Sequence, residues 1–404
     1  MAAAALPHIL ILCHSELRDD ARLIRQISAL REVGVVSTAA FSPSGLETGT
    51  FHKLGTDTTI LGLPPLLRKL TTAVWGVCER MLRSRGSYEA LYWSPALRHA
   101  KHELRGTKAD LIVANDISTL PLAFAIAGPG TPILFDAHEY HPGQHKGDSP
   151  RARHALLASE RLCRKYMPLA AHCLTVSDAV AEAYAQLVGI RPTVVTNAPK
   201  YEELSPSGPT PGRIRLVHHG GVFPQRGAVE LLKMMDVLGA AYELHLYLMG
   251  RGGADHTAFE RLASQRSNVF MHAPVPPADV PRTIGQYDIG IHRLPPGIPN
   301  YEYALPNKLF DYIQARLAVV VSPSRAMSEL VRQQQLGVVA SGDLAEDLAA
   351  AVRSLTPERI AVCKQNAHER AYALSSAGNM AVMVRIAREL LERSSGERRP
   401  AQAV

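Results

Sequence analysis

The chain reads as an α/β protein made of two doubly wound domains, each a parallel sheet covered by helices. Three observations carry that expectation. At 404 residues it is too long for one ordinary core and fits two domains of roughly 200 residues. Short apolar runs alternate with helix-length amphipathic segments, first in one half and again in the other. Between the halves lies the one mid-chain stretch rich in Pro, Ser and Gly, "APKYEELSPSGPTPGR" from Ala198 to Arg213.

Taken in order, "HILILCH" from His8 is a buried strand and residues 19 to 33 a helix with Leu23, Ile24, Ile27 and Leu30 on one face. Gly34 stops that helix and "VVSTAAF" follows as a strand, which completes a βαβ unit. Further strands are "DLIVAND" (110 to 116), "PILFDAHE" (132 to 139), "CLTVS" (173 to 177) and "TVVTNA" (193 to 198). In the second half they are "IRLVHHGG" (214 to 221), "ELHLYLMG" (243 to 250), "NVFMHAP" (268 to 274), "DIGIHRL" (288 to 294), "AVVVSPS" (318 to 324) and "LGVVAS" (336 to 341). Their near-continuous hydrophobicity suits strands buried on both faces of parallel sheets. The expected organisation is an N-terminal domain over 1–198, a linker over 199–212 and a C-terminal domain over 213–376. A helix over 377–393, with Met380, Met383, Ile386 and Leu390 on one face, is open to packing back on the N-terminal domain, and 394–404 is a disordered tail.

Composition narrows the class. Hydrophobic residues make up 46% and charged residues 20%, with 29 Gly and 28 Pro dispersed along the chain, so globular structure is expected and disorder is local. The net charge of +7 permits polyanionic partners without selecting one, and a nucleic-acid binder is disfavoured because clustered aromatics with basic stripes are missing. The five cysteines are odd in number and scattered mostly in apolar runs, which suits buried thiols in a reducing compartment. The N-terminal stretch lacks a basic leading region and no run reaches the 18 or so apolar residues of a membrane span. A cytoplasmic protein is expected, with peripheral contact at the inner membrane face as an option through the basic amphipathic segment 64–85; a core-facing helix with a solvated basic face is the other reading of that segment.

Two sheets of this kind present ligands at the carboxyl ends of their strands, so a cleft between the domains is the expected place for chemistry. In "YEYALPNKLFDYIQ", Pro306 opens a helix whose free N–H groups favour an anion, placing Asn307 and Lys308 where a phosphate binds. Asp311, one turn further, can accept both hydroxyls of a ribose, while the spacing equally allows a solvated i,i+3 pair with Lys308. Asn115 and Asp116 end one strand and His138 and Glu139 another, facing the same cleft; a helix cap also explains the first pair. His138, His141 and His145 do not make a metal site, because Pro142 and Gly143 break helical alignment. Asp19 or Asp20 is a helix N-cap, and Arg18 with its neighbours can meet an anionic acceptor.

The segment "NYEYALPNKLFDYIQARLAVVVS" resembles the donor site of GT-B fold retaining glycosyltransferases, the large family 4-like, "group 1" family that includes bacterial mannosyltransferases. Much of that family carries two glutamates with seven residues between them, the second holding the ribose. Here Asp311 replaces the second, Glu302 stands one position too far for the first, and Asn300 matches a branch with Asn there. The stretch "LVHHGGVFPQRGAVELLKMM" is similar to the family's glycine turn, which puts Gly220, Gly221 and Arg226 at the donor diphosphate. "YLMGRGGADH" is similar to the next strand end, bringing in Gly250 and Arg251, and its glycines do not form the GxGxxG dinucleotide fingerprint. "VFMHAPVPP" resembles the segment that frames the nucleobase, around Ala273 to Val275, and His138 matches a histidine near the reacting carbon.

The resemblance implies a GT-B fold of two Rossmann-like domains and a hexosyl-type transferase that moves a sugar from a UDP-, GDP- or ADP-sugar to an acceptor hydroxyl with retention. Its catalytic groups would be His138, Arg226 and Lys308, its acceptor-side groups Arg18, Asn115, Asp116 and Glu139, and it would need no metal and no cofactor beyond the nucleotide sugar. A carbohydrate, lipid-linked or small-molecule acceptor is implied. A sugar-nucleotide epimerase and a non-catalytic nucleotide-sugar-binding scaffold are the alternatives.

Overall fold

The computed structural model describes residues 6–55, 70, 74–79, 81–82, 88–144, 149–208, 212–221, 228–249, 254–295, 299–303 and 305–397. The chain divides into two compact units, Met1–Val195 with Met380–Val404, and Thr196–Asn379.

The first unit holds a seven-stranded sheet of β1 (His8–Leu12), β2 (Val35–Ala40), β3 (Phe51–Lys53), β4 (Leu111–Asn115), β5 (Ile133–Ala137), β6 (His172–Thr175) and β7 (Thr193–Val194). The order is β3-β2-β1-β4-β5-β6-β7 and every pairing is parallel. His8 stands opposite Val35 and Ile9 opposite Leu111. All five residues of β4 and of β5 are buried, which is why both read as unbroken apolar runs. The edge strand β3 is not among the strands expected from sequence: its three residues, Phe-His-Lys, are half-buried or exposed and carry no apolar run.

Asp20 caps the helix Ala21–Leu30 by accepting from the backbone N–H groups of Arg22 and Leu23, which fixes the helix start just past the β1 end. Leu23, Ile27 and Leu30 then pack on Ile9, Ile11 and Val36. Met380, Met383, Ile386 and Leu390 of the helix Ser376–Glu397 enter the same core.

The second unit holds six parallel strands: β8 (Ile214–Gly221), β9 (Tyr242–Met249), β10 (Val269–His272), β11 (Ile289–His292), β12 (Ala318–Val321) and β13 (Gly337–Val339), in the order β10-β9-β8-β11-β12-β13. Residues 199–208, within the stretch read as a linker, are tied to this unit. The buried Arg316 donates to the Glu202 carbonyl at 2.6 Å, and the buried Lys364 donates to Ser207 Oγ at 2.7 Å and to the Tyr287 carbonyl at 2.8 Å.

Strand order reverses between β1 and β4 in one sheet and between β8 and β11 in the other. At such reversals the flanking connections leave in opposite directions and open a crevice at the carboxyl ends. Each unit carries a polar cluster there.

Candidate active site

In the second unit the crevice is a cavity of about 490 Å³. His219 and Gly220 come to it from the end of β8, Leu294 from beyond β11, and Asn307, Lys308 and Asp311 from the helix Asn307–Gln314. The helix is amphipathic for a local reason: Leu309, Phe310, Tyr312 and Ile313 are buried in the core, so positions 308 and 311 are left for the cavity side. Pro306 stands at its N-cap without a side-chain cap; Leu309 N donates to the Pro306 carbonyl at 3.0 Å, and the helix start, with Asn307 and Lys308, borders the cavity. Gly220 has φ of +100°, and a Cβ there would lie 2.5 Å from Lys308 Cε and 2.9 Å from its Nζ. The glycine is thus required twice, for its backbone conformation and for the lysine seated on it.

The electrostatics follow from burial. Burial pushes the Asp311 carboxyl up to about 7, with Lys308 opposing the rise. His219, whose Nε2 lies 3.5 Å from Asp311 Oδ2, is driven down to about 3 by burial and by the neighbouring His218 and Lys308. His218 falls to about 3 for the same first reason, and its Nδ1 hydrogen-bonds the Ile291 carbonyl at 2.8 Å. The imidazoles are neutral, so among the described residues that line the cavity the fixed positive charge is carried by Lys308. The remaining wall is apolar or aromatic, with Tyr247, Met249, Val275, Val280 and Ile284 prominent. A polar end beside an apolar end suits a ligand with an anionic part and a flat, weakly polar part.

The first unit gathers Asn115 at the end of β4 and Asp116 just past it, Asp136 in β5 and His138 just past it, and His141 from the 3-10 helix His141–Gln144 that follows. Asp136 is fully buried and receives both Arg22 Nε (2.9 Å) and Nη2 (2.7 Å), with Gln26 Nε2 as a further donor. His138 Nε2 lies 3.1 Å from Asn115 Oδ1 and 3.4 Å from Asp136 Oδ2, and His141 Nε2 lies 3.0 Å from Asp116 Oδ1. Burial raises the Asp136 pKa, but the Arg22 guanidinium outweighs it and holds the carboxyl well below its usual range. Burial likewise opposes charge on His138, and Asp136 outweighs it, so the imidazole titrates above its ordinary value. The neighbouring Asp136 moves it toward the imidazolium. Asp116 has a φ of +67°, an uncommon conformation for a non-glycine residue, and its carbonyl accepts from Thr119 N at 3.0 Å.

Of the sequence-predicted residues, Gly220, Val275, Asn307, Lys308 and Asp311 meet around this cavity. Gly221 ends β8 beside them. Ala273 is exposed and does not line the cavity, because the chain leaves β10 at His272 and turns inward only at Val275. Asn300 lies in the short helix Pro299–Tyr303, with its side chain outside the described positions. Arg226, Gly250, Arg251 and His145 lie outside the described residues, as does much of 64–85. Asn115, Asp116 and His138 come together in the first unit; Arg18 and Glu139 are exposed to solvent and take no part in that cluster's hydrogen bonds given above. The arginine in that cluster is Arg22, whose Nη1 also donates to the Val195 carbonyl at 2.8 Å. Glu302 accepts from Arg325 N at 3.1 Å and so caps the helix Arg325–Gln333.

Sequence reasoning missed His219, Tyr247, Asp136 and Arg22 as members of these clusters. A signal existed for His219, since it directly precedes Gly220 in "VHHGG"; none existed for the pairing of Arg22 with Asp136, which are 114 residues apart.

Residues 51–199 match the family model described as Glycosyltransferase Family 4, and residues 213–357 the model described as Glycosyl transferases group 1. No curated protein matches the chain in sequence. Among solved structures it is similar to HepE of Anabaena in complex with UDP, with a TM-score of 0.63 and 13% identity over 95% of this chain and 100% of that one. It is also similar to sucrose-phosphate synthase of Thermosynechococcus elongatus (TM-score 0.63, 14% identity, 96% and 100% covered) and to α,α-trehalose 6-phosphate synthase of Burkholderia multivorans (0.60, 13%, 99% and 100%). At such identities the likeness is one of fold, and that fold is GT-B. The two family models span most of the chain between them, and the chain belongs to the group 1 and family 4 glycosyltransferases.

Proposed function

We propose that the second unit binds a nucleotide sugar through the cavity at the β8–β11 reversal, and that the sugar passes to an acceptor hydroxyl with retention and without a metal. The observation that carries this reading is the seating of Lys308 against Gly220 at an uncapped helix start, with Asp311 one turn further along the same cavity. Lys308 and the first-turn N–H groups suit a diphosphate; Asp311 suits the two hydroxyls of a ribose; the apolar wall suits the base. A UDP-sugar is the first donor to test, because HepE, similar in fold, was crystallised with UDP and with UDP-glucose.

As the diphosphate departs, negative charge grows on its β-phosphate, and a lysine already in place stabilises that charge without reorganisation. Arg226 is assigned the same task from its place in the sequence. The leaving phosphate then takes the acceptor proton on the face it vacates, so a dedicated protein base is not needed. His138, held between Asn115 and Asp136, is assigned to the sugar near the reacting carbon, and Asn115 and Asp116, with Arg18 and Glu139, to the acceptor. A carbohydrate, a lipid-linked sugar or a small molecule fits that role. No helix among the described residues is long and apolar enough to cross a membrane. Leu70, Val74, Val77 and Met81 are exposed at helical spacing within 64–85, which favours a peripheral contact with anionic lipid.

The test is nucleoside diphosphate release from UDP-, GDP- and ADP-sugars, with Asp311→Ala and Lys308→Ala in parallel. Release from one donor that is lost in both variants is the expected result. Release unaffected by either variant would remove the donor site from this cavity.

A further inference from the structure

His219 has no assigned part in the reaction, and its position calls for one. It is about nine-tenths buried, it lines the cavity, and its Nε2 has no hydrogen-bond partner among the described residues while standing 3.5 Å from Asp311 Oδ2. Its ring is fixed by the edge of Tyr312, with centroids 5.4 Å apart and planes at 87°.

We propose that His219 is a positioning residue of the donor site: in the empty cavity its Nε2 accepts a hydrogen bond from the protonated Asp311 carboxyl, and binding of a ribose diol breaks that bond and expels the proton. This rests on the donor-site reading above. A vicinal diol brings two O–H donors and needs two acceptor oxygens, so it binds the carboxylate and not the acid. The balance is simple: the protonated pair and the nucleotide sugar give the bound complex and one proton in solution, with no bond made or broken in the sugar.

The surroundings support the protonated empty state. Among the described residues the titratable groups around the pair are Lys308 on the same helix, His218 on β8, Tyr312 against the ring, and Tyr247 and Tyr301 in the cavity lining. Among the described residues Lys308 favours the carboxylate, and burial outweighs it, bringing Asp311 to about 7, while His218 and His219 are kept neutral. An uncharged imidazole with a vacant ring nitrogen beside a protonated carboxyl is a donor–acceptor pair ready to close. Its consequence is specificity: a ligand without the diol leaves the proton where it is.

The experiment is calorimetric titration of the full chain with UDP-, GDP- and ADP-glucose, the best binder being taken through two buffers of different ionisation enthalpy between pH 6 and 8.5. Nucleotide sugars are used because their phosphates do not titrate there. The expected release is about one proton per site at pH 6, about half at pH 7 and about none at pH 8.5, with affinity falling by roughly tenfold per unit well below pH 7. His219→Phe keeps the contact with Tyr312 but lacks the acceptor, and is expected to lower the midpoint of proton release. A midpoint that stays or rises overturns the proposal. Asp311→Asn is expected to release no proton and to bind weakly. Wild-type binding without proton release, together with weak binding by Asp311→Asn, sinks this inference and leaves the donor site standing; normal binding by Asp311→Asn, or no binding of any donor by the wild type, sinks both.

Discussion

Two aspartates at the carboxyl ends of two similar sheets, one fully and one largely buried, are treated in opposite ways. Asp136, at the end of β5, is gripped by both arms of Arg22 and held ionised; Asp311, on the helix after β11, has its carboxyl pushed up to about 7. Burial raises both. What differs is geometry: a bidentate guanidinium satisfies two carboxylate oxygens at once, whereas Lys308 sits against Gly220 with its ammonium directed there and leaves Asp311 facing a neutral histidine. The first unit therefore keeps a fixed charge pattern around His138, and the second keeps a carboxyl near its titration point at neutral pH.

The largest effect should come from breaking the fixed pattern. Arg22→Met leaves the buried Asp136 with Gln26 and His138 but without its bidentate guanidinium and should lower stability by about 3 kcal/mol, with Asp136→Leu in the same chain recovering most of it. Urea unfolding measures both, and a loss under about 1 kcal/mol in the single variant would erase the contrast between the two sites.

Next come changes at the seat of Lys308. Lys308→Ala should slow nucleoside diphosphate release by about 100-fold, as expected for loss of a group stabilising the leaving charge. Gly220→Ala should act in the same direction, because its Cβ would occupy the lysine's place at a φ of +100°. Equal activity in the alanine variant at 220 would show that the lysine can work from elsewhere.

The pH dependence of stability sharpens the comparison. Asp311 has a folded pKa near 7, above its unfolded value, so its contribution is full below about 4 and is lost as pH rises through 7. Asp311→Asn removes that loss and should stabilise the protein at pH 8 by about 2 kcal/mol. His218 and His219 act in the opposite sense: their folded pKa values near 3 lie below the unfolded one, so their contribution is full above about 6.5 and fades on acidification. The Asn variant should thus show a steeper acid loss between pH 6.5 and 5 than the wild type, read as Tm against pH.

The smallest effect is expected at Glu302. Removing its carboxylate in Glu302→Ala leaves Arg325 N without that acceptor and should cost about 1 kcal/mol, with nucleoside diphosphate release unchanged. A fall in release would make Glu302 the counterpart of the family's first glutamate after all.

How much of this was legible in advance depended on sequence separation. The α/β architecture was open to reading because strands such as β4 and β5 are buried on both faces and must be apolar throughout. Asn307, Lys308 and Asp311 were open to reading because one helix carries all three at a spacing with a chemical meaning. The three-residue β3 was not, since an edge strand exposed on one side needs no apolar run.

By itself, then, the sequence determined which segments must be buried, where helices begin, and which short stretch to read as the place for a diphosphate and a diol. The tertiary structure alone decided that Arg22 locks Asp136, that His219 faces Asp311, and that Gly220 seats Lys308. The reason is physical: local pattern encodes burial and backbone preference, whereas the charge state of a buried group is set by partners the fold brings from distant parts of the chain.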